Sequence, residues 1–182
     1  MISRRTRAAA RLLAVALGGS VAGAATAATS DVSPTGFLVT VRHDVRATPQ
    51  RLYGALGEVD KWWNGSHSWS GKAANLSLST QAGGCFCERW GPNSVEHARV
   101  VHAQEERMLR LDGALGPLQA LAATAILTFA IAPREGGSTL VVTYRVSGSE
   151  SAGLQQLAGP VDGVIAEQVR RLVGYVETGK PE

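Results

Sequence analysis

The stretch VDGVIAEQVRRLVGYV, residues 161–176, decides the fold of this chain. Its apolar residues recur at spacings of three and four, which is the pattern of an amphipathic α-helix. The apolar stripe starts upstream at Leu154 and Leu157, and Gly159-Pro160 predicts a break or kink in its first turns. Such a helix buries its stripe against another layer of structure. The preceding residues must therefore supply that layer.

Strand-like segments precede this helix. The best hairpin joins residues 124–132 to residues 139–147, because apolar residues alternate in both segments and Gly136-Gly137 lies between them. The remaining strands are predicted at residues 37–45, 76–79, 85–90, 95–103 and 107–112.

One short helical region interrupts the strands. Thr48-Pro49 supplies an N-cap followed by proline at the first helical position, and the helical region ends at Trp62-Trp63. The order is one strand, a short helical pair, about six strands and a long helix. We expect an α+β fold in which a curved antiparallel sheet of about six to seven strands wraps round the C-terminal helix. A cavity is expected between the sheet and that helix.

A targeting segment precedes the domain. Residues 1–11 carry four arginines and no acid, an apolar stretch follows, and Ala25-Thr26-Ala27 has the pattern of a cleavage site. We predict a signal peptide over residues 1–27, a linker over 28–35 and a folded domain over 36–178. The protein would be exported, to the periplasm or the medium, after cleavage near Ala27. The apolar stretch is too short for a membrane span, so no span is expected once the leader is removed.

The charge balance changes when the leader is set aside. Of the eighteen lysines and arginines, four belong to the leader, which leaves fourteen against fifteen aspartates and glutamates. The remaining domain has no basic patch with interleaved aromatic residues. Nucleic acid is therefore not expected as a partner.

Cys85 and Cys87 are the only cysteines. We expect two apolar side chains on a pocket or core face, because residues two apart in an extended strand have Cα atoms near ~7 Å, the upper limit for a disulfide. A disulfide and a metal or redox role stay open as alternatives.

The ionisable residues form no recognisable catalytic group. Glu88 is expected to face solvent or to pair with Arg99 or Arg107 on a neighbouring strand. No histidine has a companion serine or cysteine in an activation motif, and the histidines show no spacing typical of metal ligands. No catalytic residue, metal or cofactor is therefore predicted.

Large apolar residues mark the expected cavity. One residue of Trp62-Trp63 should pack inward while the other shields the cavity mouth, and Tyr144 could fix the polar end of a ligand. The leucines of the connection 113–123 must bury as a lid, a plug or a partner-binding surface. Ligand-binding side chains are predicted at Trp62, Trp63, Trp69, Cys85, Cys87, Trp90, Leu111, Leu115, Leu118, Phe129, Tyr144, Val161 and Ile165.

Five features together resemble a known superfamily. They are Trp62-Trp63, the pattern GGxFxE at 83–88, GALGPL at 113–118, TYRV at 143–146 and the helix at 161–176. With these residues the chain resembles the helix-grip superfamily, which includes the START domains, the birch-pollen-allergen fold and bacterial polyketide cyclases. Within it, the chain is most similar to bacterial proteins related to the C-terminal domain of the activator of Hsp90 ATPase. The resemblance covers residues 36–177 and implies the fold but no activity, because one fold hosts many functions.

Three functions follow as hypotheses. The first is an exported, non-enzymatic protein that binds an apolar or amphipathic small molecule between the sheet and the C-terminal helix. The second is an enzyme of the cyclase, aromatase or hydrolase kind in the same cavity, which relatives with this fold imply. The third is an envelope interaction or stress module that acts through residues 115–121.

Overall fold

An eight-stranded sheet and a long C-terminal helix form the described part of the protein, residues 26–181 of a computed structural model. The strands are β1 (Thr26–Ser33), β2 (Gly36–Val45), β3 (Leu76–Leu78), β4 (Cys85–Trp90), β5 (Asn93–Gln104), β6 (Met108–Asp112), β7 (Thr124–Arg134) and β8 (Gly137–Ser147). The helices are α1 (Pro49–Gly57), α2 (Val59–Trp62) and α3 (Ala158–Thr178).

The sheet is antiparallel throughout, in the order β1-β2-β8-β7-β6-β5-β4-β3. Sequential strands are neighbours except where β2 pairs with β8. The pair α1 and α2 leads the chain from β2, near one edge, to β3 at the opposite edge. The predicted order of one strand, a helical pair, six strands and a long helix is confirmed, with one further strand at the N-terminal edge.

Helix α3 packs on one face of this sheet. Alternate residues of β7 and β8, among them Phe129 and Val142, are buried. They share one hydrophobic core with Ile165 and Leu172 on the inner face of α3. The backbone of α3 runs along β2 and β1. The predicted grip of the sheet on the helix is confirmed.

The start of α1 follows the capping signal. The Thr48 hydroxyl oxygen accepts a hydrogen bond from the Arg51 backbone N–H at 3.2 Å, and Pro49 is the first helical residue. This arrangement satisfies one of the free N–H groups at the helix start, and the proline removes another.

The start of α3 differs from the expected kink. Leu154–Gln156 forms a separate 3-10 turn, and the helix begins at Ala158. Pro160 therefore lies in the first turn of α3, where a missing N–H breaks no helical hydrogen bond. Within residues 26–181, no helix is both long enough and apolar enough to cross a membrane.

The N-terminal edge also differs from prediction. Residues 26–33 form β1, where a linker over 28–35 was expected, and β1 pairs with β2 from Thr26 opposite Arg42 to Ser33 opposite Gly36. Most of β1 is exposed and its sequence, TAATSDVS, has no apolar face, so alternation gives no strand signal. The predicted cleavage position near Ala27 falls inside β1. Residues 1–25 of the predicted signal peptide lie outside the described residues.

Candidate functional site

A cavity of about 320 Å³ lies beside the N-terminal end of α3. Three parts of the chain enclose it: residues 63–69 after α2, residues 115–118 after β6, and residues 157–165 at the start of α3. His97 of β5 and Tyr144 of β8 complete the wall on the sheet side.

Seven of the thirteen residues predicted for the site line this cavity: Trp63, Trp69, Leu115, Leu118, Tyr144, Val161 and Ile165. Nine lining residues were not predicted: Ser66, His67, Ser68, His97, Gly116, Pro117, Leu157, Pro160 and Val164. The sequence thus identified most of the apolar wall and none of the histidines.

The adjacent tryptophans face different surroundings. Trp62 is buried in the core, and its indole N–H donates to the Ala55 carbonyl at 2.8 Å. Trp63 lines the cavity, and its indole N–H donates to the His67 carbonyl at 3.1 Å. Trp69 also lines the cavity but keeps 54% of its surface exposed, which places it at the mouth. The prediction that one of the pair packs inward therefore holds for Trp62.

Hydrogen bonds tie residues 62–70, which we call the tryptophan segment, to α3. The Asn64 backbone N–H donates to Gln168 Oε1 at 2.7 Å, and the Asn64 side-chain amide donates to Glu167 Oε1 at 2.6 Å. The other Glu167 oxygen lies 3.1 Å from His67 Nε2. Arg171 donates from Nε to the Trp62 carbonyl at 2.8 Å. This side of the cavity is held to the helix at several points.

Glu88 ties the same segment to the sheet. Its carboxylate is fully buried and accepts hydrogen bonds from the backbone N–H groups of Trp69 at 3.0 Å and Ser70 at 2.6 Å. The same carboxylate lies 3.0 Å from His97 Nε2, and His97 is itself buried. A carboxylate-histidine pair is therefore built into this site, with His97 in the cavity wall and Glu88 outside the lining.

The prediction for Glu88 was wrong, because its carboxylate is buried and bonds to His97 instead of an arginine. This partner follows from the pairing of β4 with β5. The pairing shifts by one residue, so β5 carries His97 as an extra residue opposite β4. Bulges of this kind re-aim side chains, here towards the carboxylate. Arg99 pairs with Glu96 instead, and Arg107 makes no hydrogen bond or ion pair to Glu88.

The surroundings of this pair fix its protonation. Burial by itself raises the pKa of Glu88, but hydrogen bonds from Ser70, Trp69 and His97 outweigh burial and hold that pKa below its ordinary value. Burial lowers the pKa of His97 more than the neighbouring carboxylate raises it. At neutral pH Glu88 is therefore ionised and His97 is neutral. The single imidazole N–H proton of neutral His97 lies on Nε2, facing the Glu88 carboxylate, and Nδ1 carries a lone pair.

The hydroxyl of Tyr144 holds the loop after β6. It accepts a hydrogen bond from the Leu115 backbone N–H at 2.8 Å and donates to the Gly113 carbonyl at 3.3 Å. Burial raises the pKa of this phenol, so the hydroxyl stays protonated. Both of these bonds are internal to the protein. From the sequence we expected the Tyr144 hydroxyl to bind the polar end of a ligand. In the structure it anchors the cavity wall instead.

The leucines of the loop after β6 face inward. Leu118 is buried, and Leu115 and Leu121 are half-buried against the core. Leu115 and Leu118 line the cavity, and none of the three leucines is exposed, so they do not create the exposed apolar patch that the partner-binding hypothesis requires.

Besides Cys85 and Cys87, four residues predicted for the site belong to the sheet and core instead of the cavity. Trp62 is buried in the core and does not line the cavity. Leu111 and Phe129 fill the packed space between the sheet and the helices. Trp90 is the last residue of β4, at the turn into β5. Strand alternation identified an inner face, but it does not indicate which part of that face is packed and which part is open.

Cys85 and Cys87 form a disulfide with each other, which corrects the expectation of two apolar thiols. Their Cα atoms are 5.3 Å apart, inside the range that a disulfide spans. This separation is shorter than the ~7 Å of an ideal extended strand, so β4 is not fully extended between the two cysteines. Neither cysteine lines the cavity.

Comparison with solved structures identifies the class of fold. CalU16 from Micromonospora echinospora superposes with a TM-score of 0.60 at 12% identity over 87% of each chain. The Aha1 dimer of Colwellia psychrerythraea gives a TM-score of 0.58 at 16% identity, over 79% of this chain and 98% of that chain. A Rhodobacter sphaeroides protein gives a TM-score of 0.54 at 18% identity, over 81% and 96% of the two chains.

At these identities the likeness shows the fold alone. The protein has the helix-grip type of α+β fold that these neighbours share. No protein-family model and no curated protein sequence matches the chain.

Proposed function

We propose that this protein binds a small apolar or amphipathic molecule in the cavity at the N-terminal end of α3. The observation that carries the proposal is the make-up of the wall. Large apolar side chains surround the space, and the imidazole of His97 is held at it by Glu88. Small-molecule sites in proteins combine such an apolar lining with a few fixed polar groups.

The size of the cavity restricts the ligand. A volume of about 320 Å³ lies at the lower end of the range for small-molecule sites, roughly 300–1,000 Å³. A compound with one or two rings matches this space better than a long-chain lipid. The flat indole of Trp69 at the mouth is suited to stack on such a ring.

Occupancy of the cavity can be tested with a matched pair of variants. Val164 lines the cavity, whereas Val101 on β5 is half exposed on the sheet. Val164→Phe should fill part of the cavity and weaken binding of the fluorescent probe N-phenyl-1-naphthylamine at least tenfold, while Val101→Phe should bind like the parent. Mass spectrometry of compounds extracted from the protein of its own host would identify the natural ligand. Equal binding by both variants and the parent would place the site elsewhere, and no binding to the parent would refute the proposal.

Export is part of the same proposal. The leader pattern over residues 1–27 supports it. The disulfide between Cys85 and Cys87 supports it as well, because disulfides persist in oxidising compartments. Intact mass measurement of protein from the periplasm or medium should find a chain that starts near Ala28. Full-length protein confined to the cytosol would contradict export.

One observation favours an enzyme as the second candidate. His97 is a neutral base oriented by a buried carboxylate and faces an apolar cavity, an arrangement that suits proton abstraction next to a carbonyl. In such a step the imidazole takes a proton from the α-carbon, and the C–H electron pair forms the enolate. The imidazolium then returns a proton. Incorporation of solvent deuterium into 1-tetralone, faster with the parent than with His97→Phe, would support this activity, and equal rates would exclude it for this substrate.

A further inference from the structure

The only polar ring atom that His97 can offer to the cavity is Nδ1. Nε2 is occupied by Glu88 at 3.0 Å, and the imidazole lies against the ring of Phe86, with 4.9 Å between the ring centroids. Nδ1 has no hydrogen-bond partner within residues 26–181. It is not one of the fully buried, unpaired side-chain nitrogen and oxygen atoms in that part of the chain, so it keeps some accessible surface. Nδ1 is therefore available to bond a molecule in the cavity that His97 lines.

The Glu88 carboxylate determines whether His97 Nδ1 donates or accepts a hydrogen bond. Glu88 takes hydrogen bonds from Trp69 N–H, Ser70 N–H and His97, and an ionised carboxylate has no proton to donate. The imidazole proton is therefore drawn to Nε2, so Nδ1 is an acceptor. A ligand that brings only acceptor atoms, such as an ether or a carboxylate, would place one lone pair against another.

We propose that the cavity selects ligands whose polar end donates a hydrogen bond to Nδ1 of His97, with phenols and similar O–H or N–H compounds as the ligand class. This inference rests on the proposed binding function and names the chemistry of the same site. Glu88 acts as a positioning residue, because it holds the tautomer and does not itself face the cavity.

The other titratable groups at the cavity are His67 and Tyr144. His67 stands on the tryptophan segment with Nε2 paired to Glu167 of α3 at 3.1 Å, and the Tyr144 hydroxyl is used by the loop after β6. His67 is therefore the competing histidine, and a variant at that position distinguishes the two.

The test compares two probes that differ by one methyl group, 1-naphthol and 1-methoxynaphthalene, by isothermal titration at pH 7.5. The parent should bind 1-naphthol roughly three- to tenfold more tightly, the ratio that one net hydrogen bond gives. His97→Phe should lower this ratio to about one while retaining 1-methoxynaphthalene binding, and Glu88→Gln should reduce the ratio because the amide no longer fixes the tautomer. His43→Gln on β2, which does not line the cavity, is the control and should keep the parent ratio.

Acidification provides a second measurement that needs no variant. As His97 becomes protonated it loses the Nδ1 lone pair, so the preference for 1-naphthol should fall as the pH drops below the ordinary histidine range near 6.5, while the phenol-type hydroxyl stays protonated. Equal affinity of the parent for both probes would overturn this inference and leave the proposed function standing. The same holds if only His67→Phe removes the preference. Binding of neither probe by the parent would count against the proposed function and this inference together.

Discussion

Removal of the Tyr144 hydroxyl tests whether this side chain anchors the cavity wall. Tyr144→Phe deletes one oxygen and leaves the buried ring in place. The Leu115 N–H, bonded at 2.8 Å, and the Gly113 carbonyl, bonded at 3.3 Å, both lose their partner. A net hydrogen bond is worth about 0.5–1.5 kcal/mol, and a buried group left without a partner adds to the loss, so we expect about 1–3 kcal/mol. This free energy corresponds to a roughly 5- to 150-fold larger equilibrium constant for opening of the loop.

Native-state hydrogen exchange at the Leu115 amide measures this opening directly. The amide should exchange faster in Tyr144→Phe by roughly the factor above, and the melting temperature should fall by about 2–12 °C. Tyr53→Phe is the matched control, because the Tyr53 hydroxyl donates to the Thr80 carbonyl at 3.5 Å, the outer limit for a hydrogen bond. That variant should leave both measurements close to the parent. Unchanged exchange at Leu115 in Tyr144→Phe would refute the anchoring role.

Three further predictions concern the helix, the buried histidine and the disulfide. Leu172 is fully buried on α3, so Leu172→Ala should lower the free energy of unfolding by about 2–5 kcal/mol. Arg170→Ala on the exposed face of the helix should change the melting temperature little. Equal melting temperatures of the two variants would contradict the packing of α3 on the sheet. Burial lowers the pKa of His97, so the unfolded chain binds the extra proton first as the pH falls below about 6.5, and stability should decline there by up to about 1.4 kcal/mol per pH unit. In His97→Phe, the free energy of unfolding measured by chemical denaturation should fall less steeply between pH 7.5 and 5. Some decline should remain, because burial also lowers the pKa of His43. An unchanged decline would show that His97 is not buried as a neutral group. Alkylation of the denatured protein should modify neither cysteine without reductant and both after reduction, and modification without reductant would contradict the disulfide.

The regular elements could be predicted from the sequence because each has its own period. Alternation in residues 124–132 and 139–147 located β7 and β8, and the three-and-four spacing of 161–176 located α3. Strand β1 has no such period, since it is held by backbone pairing to β2 and buries little. Edge strands of small polar residues are therefore the elements that pattern reasoning misses.

The polar part of the site could not be predicted for a different reason. A bulge adds His97 to β5 and changes which residues face each other across β4 and β5. Neither a regular pairing of these strands nor the observed one places an arginine opposite Glu88, and the observed bulge places His97 beside it. The bond between Cys85 and Cys87 was missed on the same strand, because the separation of their Cα atoms was taken from an ideal strand. A bulge has no signature in the apolar pattern, so the sequence could not show that His97 lies against Glu88.

The buried carboxylate of Glu88 therefore has two consequences for one cavity. It holds the tryptophan segment through the Trp69 and Ser70 amides, and it fixes the orientation of His97. The opposite end of that segment is held by Gln168 and its neighbours on α3, so neither end of the segment is free to collapse into the space. A cavity whose walls are fixed before a ligand arrives loses less entropy on binding than one that must form around it. Because a single acidic residue joins the wall to the polar group, loss of the Glu88 carboxylate should impair the shape of the cavity and its preference for hydrogen-bond donors together.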